Sequence, residues 1–335
     1  MKIDSVRALK EEVATEIVPP AIAEIHAAGG FSITTFSLDR MTSAEPQVAL
    51  GIAPGKRPED VRLAVRLQRR SLERSKPLIE KIRKRARDEV EIRFVGRIAK
   101  HALPWYRTRL RPLLPGVTVG HYKITAGTIG AFATDRKTGR TVILSNNHVL
   151  ANENAAKVGD SIIQPGDYDK GKRPKDVVAK LTKWVKLQTN AANLVDAAIA
   201  AVQASVDVDP LKYRDIGVLA GVRTDPLLPG LAVAKVGRTT GTTRGRIAAV
   251  ELDDVVVDYD VGSLSFDDQI EIESSGDGTF SAGGDSGSLI LDEAKLACAL
   301  LFAGSETGGA NGRGLTYASP IGIVLKKLAI DLPAH

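Results

Sequence analysis

Three polar side chains in this chain of 335 residues have the chemistry of a hydrolytic site that works through a serine. Ser286 lies between Asp285 and a glycine in a glycine-lined turn, residues 283–288. A serine hydroxyl is a poor nucleophile by itself, so it needs a histidine base and a carboxylate that orients the histidine. His148 and Asp196 are the candidates for these roles. Glycines that lack Cβ atoms can also point backbone N–H groups at a developing oxyanion.

The elements that would position the histidine and the carboxylate can be predicted from the surrounding residues. The apolar, β-branched run 141–144 is followed by small polar residues and then His148, which predicts a strand that carries the imidazole at its end. Asp196 is the one carboxylate in the apolar stretch 193–202, and a buried acid needs a partner such as an imidazole N–H. Three further aspartates remain alternatives, in Pro- and Arg-containing sequence typical of a surface connection: Asp207, Asp209 and Asp215.

The order of the three candidates along the chain separates hydrolase classes. The α/β-hydrolases have the order Ser, Asp, His and the subtilisins Asp, His, Ser, whereas here the order is His148, Asp196, Ser286. Ser288 also stands where the nucleophile elbow of an α/β-hydrolase has its last glycine. Each residue taken alone has a plainer explanation, since Asp-Ser-Gly is a common turn. Only the three together, in this order, indicate catalysis.

Three segments resemble the trypsin/chymotrypsin superfamily of serine peptidases: residues 147–151, 195–199 and 284–288. Further segments are similar to a disulfide-free bacterial branch of that superfamily and to the plant narrow-leaf proteins: residues 145–151, 236–241 and 284–290. The resemblance covers residues from about Arg111 to Ile323. It implies a mostly β fold, a chymotrypsin-like double β-barrel, with barrel one at about residues 111–206 and barrel two at about residues 216–335.

The resemblance also implies a division of roles within a serine endopeptidase that acts on a protein or peptide substrate through an acyl-enzyme. His148 would take the proton of Ser286 and return it to the leaving amine, while Asp196 holds the imidazole tautomer. The backbone N–H groups of Gly284 and Ser286 would form the oxyanion hole. The substrate pocket would be built by five residues, none of them acidic, which favours an apolar or small substrate side chain: Phe280, Ser281, Leu301, Phe302 and Ala303.

Asp285 bears on how such a site is held in its active form. In digestive relatives the equivalent aspartate pairs with an N-terminal amine that is released by cleavage. Here no Ile-Val-Gly-Gly sequence follows a basic residue, and the best substitute, Val117-Thr118-Val119-Gly120, follows Pro115-Gly116. We therefore expect Asp285 to have another partner, or the site to be activated by a binding event.

The residues before Arg111 predict a separate small domain of α/β type, residues 1–110, ahead of the protease domain at 111–335. Residues 58–86 have the composition of a helix, with a break or kink at Pro77, and apolar runs at 47–52 and 89–98 would flank it as strands of a β-α-β unit. Its place before a catalytic domain suggests a regulatory role, and an activating or regulatory protein partner is a further possibility.

Positive charge is concentrated in the same region. Residues 56–111 contain 19 Lys and Arg against 7 Asp and Glu, whereas the whole chain has a net charge of +6. No RNA- or DNA-binding signature with interleaved aromatic residues accompanies this charge, so a solvated helix face is favoured over nucleic-acid binding. Two alternatives to a peptidase stay open: a catalytically silent binding module of the same fold, and a nucleic-acid-associated protein that uses the basic helix.

The remaining composition sets the expected environment. The one cysteine, Cys298, cannot form an internal disulfide and lies in the apolar run 296–302, which predicts a buried thiol and a reducing, cytoplasmic setting. No stretch reaches the roughly 18 apolar residues of a membrane span, and residues 1–20 lack the apolar centre of a secretory signal. The spacing of the five histidines and the cysteine matches no metal site, so neither a metal nor another cofactor is expected.

Overall fold

The computed structural model describes residues 1–27, 48–68, 70–96 and 103–333. The chain divides into two compact units, Met1–Ala102 and Leu103–His335. Within the described residues, no helix is both long enough and apolar enough to cross a membrane.

The first unit is a three-stranded sheet with helices packed on it. The helices α1 (Ile3–Glu12) and α2 (Val18–Ala27) are joined by a π-helical turn, and α3 (Arg70–Glu73) and α4 (Lys76–Arg85) lie between the last two strands. The sheet has the order β1-β2-β3, with β1 antiparallel and β3 parallel to the central strand: β1 (Val48–Pro54), β2 (Val61–Leu67) and β3 (Val90–Phe94). Apolar residues of the helices and the sheet form one core between them.

The helix expected over residues 58–86 is wrong in its first part, because residues 61–67 form strand β2. Leu63, Val65 and Leu67 lie on the buried face, with exposures of 0%, 0% and 1%. This alternation has the period of two residues that a strand requires, and pairing with two neighbouring strands outweighs the helix-forming composition.

A helix break lies directly before Pro77, as expected, because α3 ends at Glu73 and α4 begins at Lys76. Ser75 caps α4 by accepting a hydrogen bond from the Leu78 N–H at 3.4 Å, and Pro77 occupies the first turn, where a missing N–H costs nothing. The run expected as a strand at 47–52 overlaps β1, which extends to Pro54, and the run at 89–98 contains β3, while Gln47 and residues 97–98 lie outside the described residues. The β-α-β unit therefore consists of β2, α4 and β3.

The second unit begins with a short 3₁₀ turn, Trp105–Arg107, and then forms the strands of barrel one. These strands are β4 (Thr118–His121), β5 (Gly127–Thr128), β6 (Ala131–Asp135), β7 (Thr141–Ser145), β8 (Ser161–Ile163), β9 (Val177–Trp184) and β10 (Ala198–Val202). They form a curled sheet of order β6-β7-β10-β9-β8-β4-β5, extended beside β6 by the late strand β22 (Ile330–Asp331). Because β5 and β6 are consecutive, with β5 paired to β4 and β6 to β7, the sheet curves back on itself.

Three short strands connect the barrels: β11 (Lys212–Tyr213), β12 (Gly217–Val218) and β13 (Gly221–Val222). Barrel two is then built from six strands: β14 (Ala232–Gly237), β15 (Gly241–Leu252), β18 (Gln269–Ser274), β19 (Leu289–Asp292), β20 (Leu296–Gly304) and β21 (Thr316–Pro320). The ring closes in the order β14-β15-β18-β21-β20-β19, because β21 pairs with both β18 and β20, and β19 pairs with β14. The expected mostly β fold with a chymotrypsin-like double barrel is confirmed.

A hairpin and two helices complete this unit. Between β15 and β18 the chain forms a separate two-stranded hairpin, β16 (Val255–Tyr259) and β17 (Gly262–Phe266). A single turn of helix, α5 (Asn147–Leu150), follows β7, and α6 (Ile321–Leu328) follows β21.

The core explains why many strands are apolar along their whole length. In β7, Ile143 packs in the interior of barrel one, while Val142 and Leu144 pack in a second cluster together with barrel-two residues such as Leu291 and with α6 residues such as Val324. Both faces of the strand are therefore buried, and a continuous apolar run replaces the alternation of a half-exposed strand.

Candidate active site

His148 and Asp196 meet through the pairing of two neighbouring strands. β7 and β10 are antiparallel with Ser145 opposite Ala198, so the residues that follow β7 lie beside those that precede β10. The side-chain Nδ2 of Asn146 donates to the backbone oxygen of Asp196 at 2.6 Å and fixes this approach. The strand predicted to carry the imidazole thus ends as expected, and helix α5 turns His148 toward the carboxylate.

The Asp196 carboxylate is fully buried and is surrounded by hydrogen-bond donors. Its Oδ1 accepts from the backbone N–H groups of Asn147 at 2.6 Å and His148 at 3.3 Å, which places the negative charge at the first turn of α5. Its Oδ2 accepts from His148 Nδ1 and, at 2.8 Å, from the Tyr259 hydroxyl. These four donors hold the carboxylate in one orientation and compensate for its burial.

The electrostatic environment favours a charged imidazole at His148. Burial lowers the pKa of His148, but the negative charge of Asp196 and the hydrogen bond to Nδ1 raise it by more. The pKa therefore lies above the ordinary value of 6.5. A base of this kind holds an abstracted proton more readily than a free imidazole does.

Ser286 lies in the turn between barrel-two elements, next to two unused amide donors. Gly284 has φ of +96°, and a Cβ atom there would lie 2.7 Å from Thr239 Oγ1, so only glycine fits this position without strain. The Gly284 carbonyl oxygen accepts a hydrogen bond from Thr128 Oγ1 at 2.9 Å. Across the described ranges, no acceptor pairs with the backbone N–H of Gly284 or of Ser286. Two free amides in one turn can bind an oxyanion.

The hydroxyl of Ser286 is directed at the backbone oxygen of Phe302, 3.5 Å away. No hydrogen bond joins Ser286 to His148 in the part of the chain that the structure describes. Strand β5 nevertheless lies close both to helix α5, which carries His148, and to the turn that carries Ser286. A Cβ atom added to Gly127 would contact the Val149 side chain and would lie 3.1 Å from the Ser286 backbone oxygen.

Asp285 pairs with a lysine in the interior of barrel two. Both side chains are fully buried, and Lys235 Nζ, on β14, lies 3.2 Å from Asp285 Oδ2. Asp285 Oδ1 accepts from the Thr239 N–H at 2.7 Å, and Oδ2 accepts from Thr240 Oγ1 at 2.7 Å and from the Ala282 N–H at 3.0 Å. The expectation of a partner other than a new N-terminal amine is met by a side-chain ammonium group.

A second buried ion pair, Arg238 with Asp169, is linked to the same turn. Arg238 donates from Nε and Nη2 to the two carboxylate oxygens of Asp169, at 2.7 and 2.8 Å. Arg107, from the 3₁₀ turn, donates to the same carboxylate at 2.9 Å. Because the Arg238 N–H donates to Thr128 Oγ1 at 3.0 Å, this network reaches the Gly284 carbonyl.

The residues expected to form the substrate pocket occupy different environments. Phe280 and Leu301 pack in the interior of barrel two and are 1% and 2% exposed. Phe302 and the partly buried Ala303 belong to a cluster with the β16–β17 hairpin. Ser281 is the one of the five with a polar side chain, and its hydroxyl lies 2.6 Å from Thr316 Oγ1.

The alternative aspartates lie elsewhere, in the connection between the barrels. Within the described residues, none of Asp207, Asp209 and Asp215 is hydrogen-bonded to His148.

The other expectations from composition concern metal binding and the cysteine. In the part of the chain that the structure describes, no group of three or more His, Cys, Asp or Glu side chains could hold a metal ion. Cys298 is 2% exposed in β20, and burial, with the charge of Asp292, raises the pKa of its thiol to about 12.

Two residues of the site were not anticipated from the sequence. Lys235 carried a signal, since it is the one charge in the apolar strand Ala-Val-Ala-Lys-Val-Gly and therefore needs a buried partner. Tyr259 carried none, because its contact with Asp196 spans 63 residues of sequence.

Comparisons with known proteins found structural likeness alone. No protein-family model and no curated protein matches the chain. Protease A of Thermobifida fusca is 17% identical, with a TM-score of 0.47, and the match covers 66% of this chain and 98% of that one. The chymotrypsin of Cellulomonas bogoriensis is 18% identical, with a TM-score of 0.45 and the same two coverages. A serine protease specific for glutamic acid is 18% identical, with a TM-score of 0.47, and the match covers 66% of this chain and all of that one. In fold, this chain is similar to bacterial trypsin- and chymotrypsin-like serine proteases.

Proposed function

We propose that this protein is a serine endopeptidase whose nucleophile is Ser286. The observation that carries the proposal is the buried Asp196 carboxylate bonded to His148 Nδ1, in the same unit as a serine flanked by two free amides. A carboxylate on Nδ1 leaves Nε2 as the basic nitrogen of a neutral imidazole. This arrangement suits a proton transfer from a hydroxyl.

In the proposed reaction, Ser286 Oγ attacks the substrate carbonyl carbon while His148 Nε2 takes its proton. The carbonyl oxygen becomes an oxyanion held by the N–H groups of Gly284 and Ser286. His148 then gives the proton to the leaving amine, the C–N bond breaks, and an acyl-enzyme remains. Water then attacks the ester carbonyl carbon while His148 takes a proton from it. His148 gives this proton to Ser286 Oγ as the ester C–O bond breaks, and this step releases the carboxylic acid and restores the serine hydroxyl.

The reaction requires the Ser286 hydroxyl to turn from the Phe302 carbonyl toward His148. The 3.5 Å bond to that carbonyl is at the long limit of a hydrogen bond and is easily given up. Hydrogen bonds between catalytic groups commonly tighten only when substrate is bound. The substrate is proposed to be a protein or peptide.

The experiment is active-site labelling with a fluorophosphonate probe, together with hydrolysis of a peptide library. We expect the wild-type protein to be labelled and to cleave peptides, and Ser286→Ala to lose both activities. Ser205→Ala is the matched control, because this exposed serine follows β10. A wild-type protein that is folded but neither labelled nor active would favour the alternative of a silent binding module.

Regulation by the first unit is a second part of the proposal. Residues 1–102 form a unit with a core of their own, so they can act on the protease unit as a separate body. If the first unit restrains the protease, its removal changes the turnover rate, and a protein partner could relieve the restraint.

A cytoplasmic location is proposed from the single cysteine.

A further inference from the structure

Tyr259 contacts the Asp196–His148 pair without belonging to the proposed nucleophile and base. Its hydroxyl donates to Asp196 Oδ2 at 2.8 Å, the same oxygen that accepts from His148 Nδ1. Its ring meets the imidazole edge to face, with 5.8 Å between the ring centroids and 72° between the planes. Tyr259 therefore touches both members of the pair.

The β16–β17 hairpin brings Tyr259 to this position from barrel two. Phe266, fully buried on β17, stacks on the Tyr259 ring at 5.9 Å and lies 4.7 Å from the ring of Phe302. Backbone hydrogen bonds tie the hairpin to the loop that carries Asp196: Asn193 N–H donates to the Ser265 oxygen at 2.9 Å. Packing against Phe266 and the backbone hydrogen bonds between the hairpin and Asn193 thus hold Tyr259 in place.

The tip of the hairpin is also tied to the loop after His148. The Val261 N–H donates to Glu153 Oε2 at 3.1 Å. The hairpin is consequently hydrogen-bonded both to the loop before β10 and to the loop after α5, and its Tyr259 contacts the Asp196–His148 pair. The charges of Asp196 and Glu153 both act there on the two titratable rings, those of His148 and Tyr259.

The phenol is suited to act as a permanent donor. Burial, and then the charge of Asp196, raise the pKa of Tyr259 well above 10, so the hydroxyl keeps its proton at every pH at which a peptidase would be assayed. A permanent donor to Oδ2 limits rotation of the carboxylate and draws part of its charge away from the imidazole.

We propose that Tyr259 is a positioning residue that fixes the Asp196 carboxylate against His148, and that the β16–β17 hairpin is the element that delivers it. The role rests on the proposed function, since it concerns the pair that would serve as base. It also makes the efficiency of that base depend on the hairpin.

The test is Tyr259→Phe, which keeps the ring and its contacts with His148 and Phe266 and removes only the hydroxyl. The matched control is Tyr317→Phe, because the Tyr317 hydroxyl also donates to a carboxylate, that of Glu271 at 3.1 Å. Two readouts are taken on the full chain: the pH dependence of peptide hydrolysis, and the titration of His148 by NMR in a Ser286→Ala background.

We expect Tyr259→Phe to raise the pKa of His148, because a carboxylate with one donor fewer holds the imidazolium more strongly. The acidic limb of kcat/KM should move to higher pH by the same amount. We expect kcat to fall about tenfold with KM changed by less than about twofold, since the lost bond acts on the base and not on substrate binding. Tyr317→Phe should leave both readouts as in the wild type.

An unchanged or lowered His148 pKa in Tyr259→Phe would overturn the proposal, and so would an equal effect of Tyr317→Phe. The NMR titration needs no catalysis. If the wild-type protein neither reacts with a fluorophosphonate nor cleaves peptides, the proposed function fails while the role of Tyr259 in positioning Asp196 is still measured.

Discussion

The two nitrogens of His148 have different environments, and this sets the pH range of the proposed reaction. Nδ1 is bonded to a buried carboxylate, which raises the pKa of the imidazole above 6.5 although burial alone lowers it. The base must be neutral to accept a proton, so activity is present above the raised pKa and is lost as the pH falls through it. The activity is lost on the acidic side at a higher pH than for a free imidazole, because the pKa of His148 is raised.

We predict that kcat/KM of the wild-type protein declines on the acidic side with an apparent pKa above 6.5. Asp196→Asn removes the charge that raises the pKa, so the acidic limb should move to lower pH and kcat should fall by about 10³ to 10⁴. The measurement is the rate of hydrolysis of a good peptide substrate between about pH 5 and 9, a range that contains the usual titration of histidine. An acidic limb that is the same in Asp196→Asn would contradict the assignment of Asp196 as the partner of His148.

Strand β14 holds the turn that carries Ser286, through the buried pair of Lys235 and Asp285. Burial lowers the pKa of Lys235, and the Asp285 charge opposes this, so each charge depends on the other. Removing the ammonium group leaves a buried carboxylate with neutral donors only, the N–H groups of Thr239, Thr240 and Ala282 and the Thr240 hydroxyl, and with no opposite charge.

We predict that Lys235→Met lowers the free energy of unfolding by about 3–5 kcal/mol and reduces fluorophosphonate labelling of Ser286. Arg246→Met is the control, because it breaks an exposed pair with Glu273 on the adjacent strand and should cost at most about 1 kcal/mol. Urea unfolding measures the free energy of unfolding of both variants.

The intact mass of the labelled wild-type chain checks whether Lys235 takes the place of an N-terminal amine as the partner of Asp285. A required cut near Arg111 would show that it does not.

Those elements that depend on local pattern could be predicted from the sequence. The apolar run that ends before His148 is strand β7, and the single carboxylate in the next apolar stretch precedes its neighbour β10, so the pairing of His148 with Asp196 follows from two local signals. In residues 61–67 two local signals conflict. Arginine and leucine form helices readily, whereas the large apolar residues recur at every second position, as in a strand, and pairing with β1 and β3 decides for the strand.

The hairpin shows what local pattern cannot supply. Strands β16 and β17 can be recognised by their β-branched and aromatic residues, but the choice of Asp196 as the partner of Tyr259 depends on how the hairpin folds back over the loop at Asn193. The assignment of Phe280 and Leu301 to a pocket depended on a resemblance alone, and both side chains lie in the core.

At the scale of the whole molecule, the two units have separate cores. All residues of the first core lie before residue 95, and all residues of the other clusters lie after residue 104. Much of the positive charge of the first unit is matched locally, as in the pairs Arg57–Asp60, Arg70–Glu73 and Arg85–Glu12.

We predict that a fragment of residues 103–335 folds and is labelled at Ser286, because no described residue of the first unit belongs to its core clusters. If the first unit restrains the protease, the fragment should cleave peptides several times faster than the full chain. Adding residues 1–102 as a separate polypeptide should then reduce the rate. Equal rates for the fragment and the full chain would rule out the regulatory role.

The burial of Cys298 has a practical use. Its thiol is 2% exposed, has a pKa of about 12 and is the only one in the sequence, so maleimides and similar reagents find no native target in the folded protein. A cysteine introduced on the β16–β17 hairpin can therefore carry a fluorophore or spin label by itself, and movement of the hairpin during turnover can be followed without first rebuilding the protein free of cysteine.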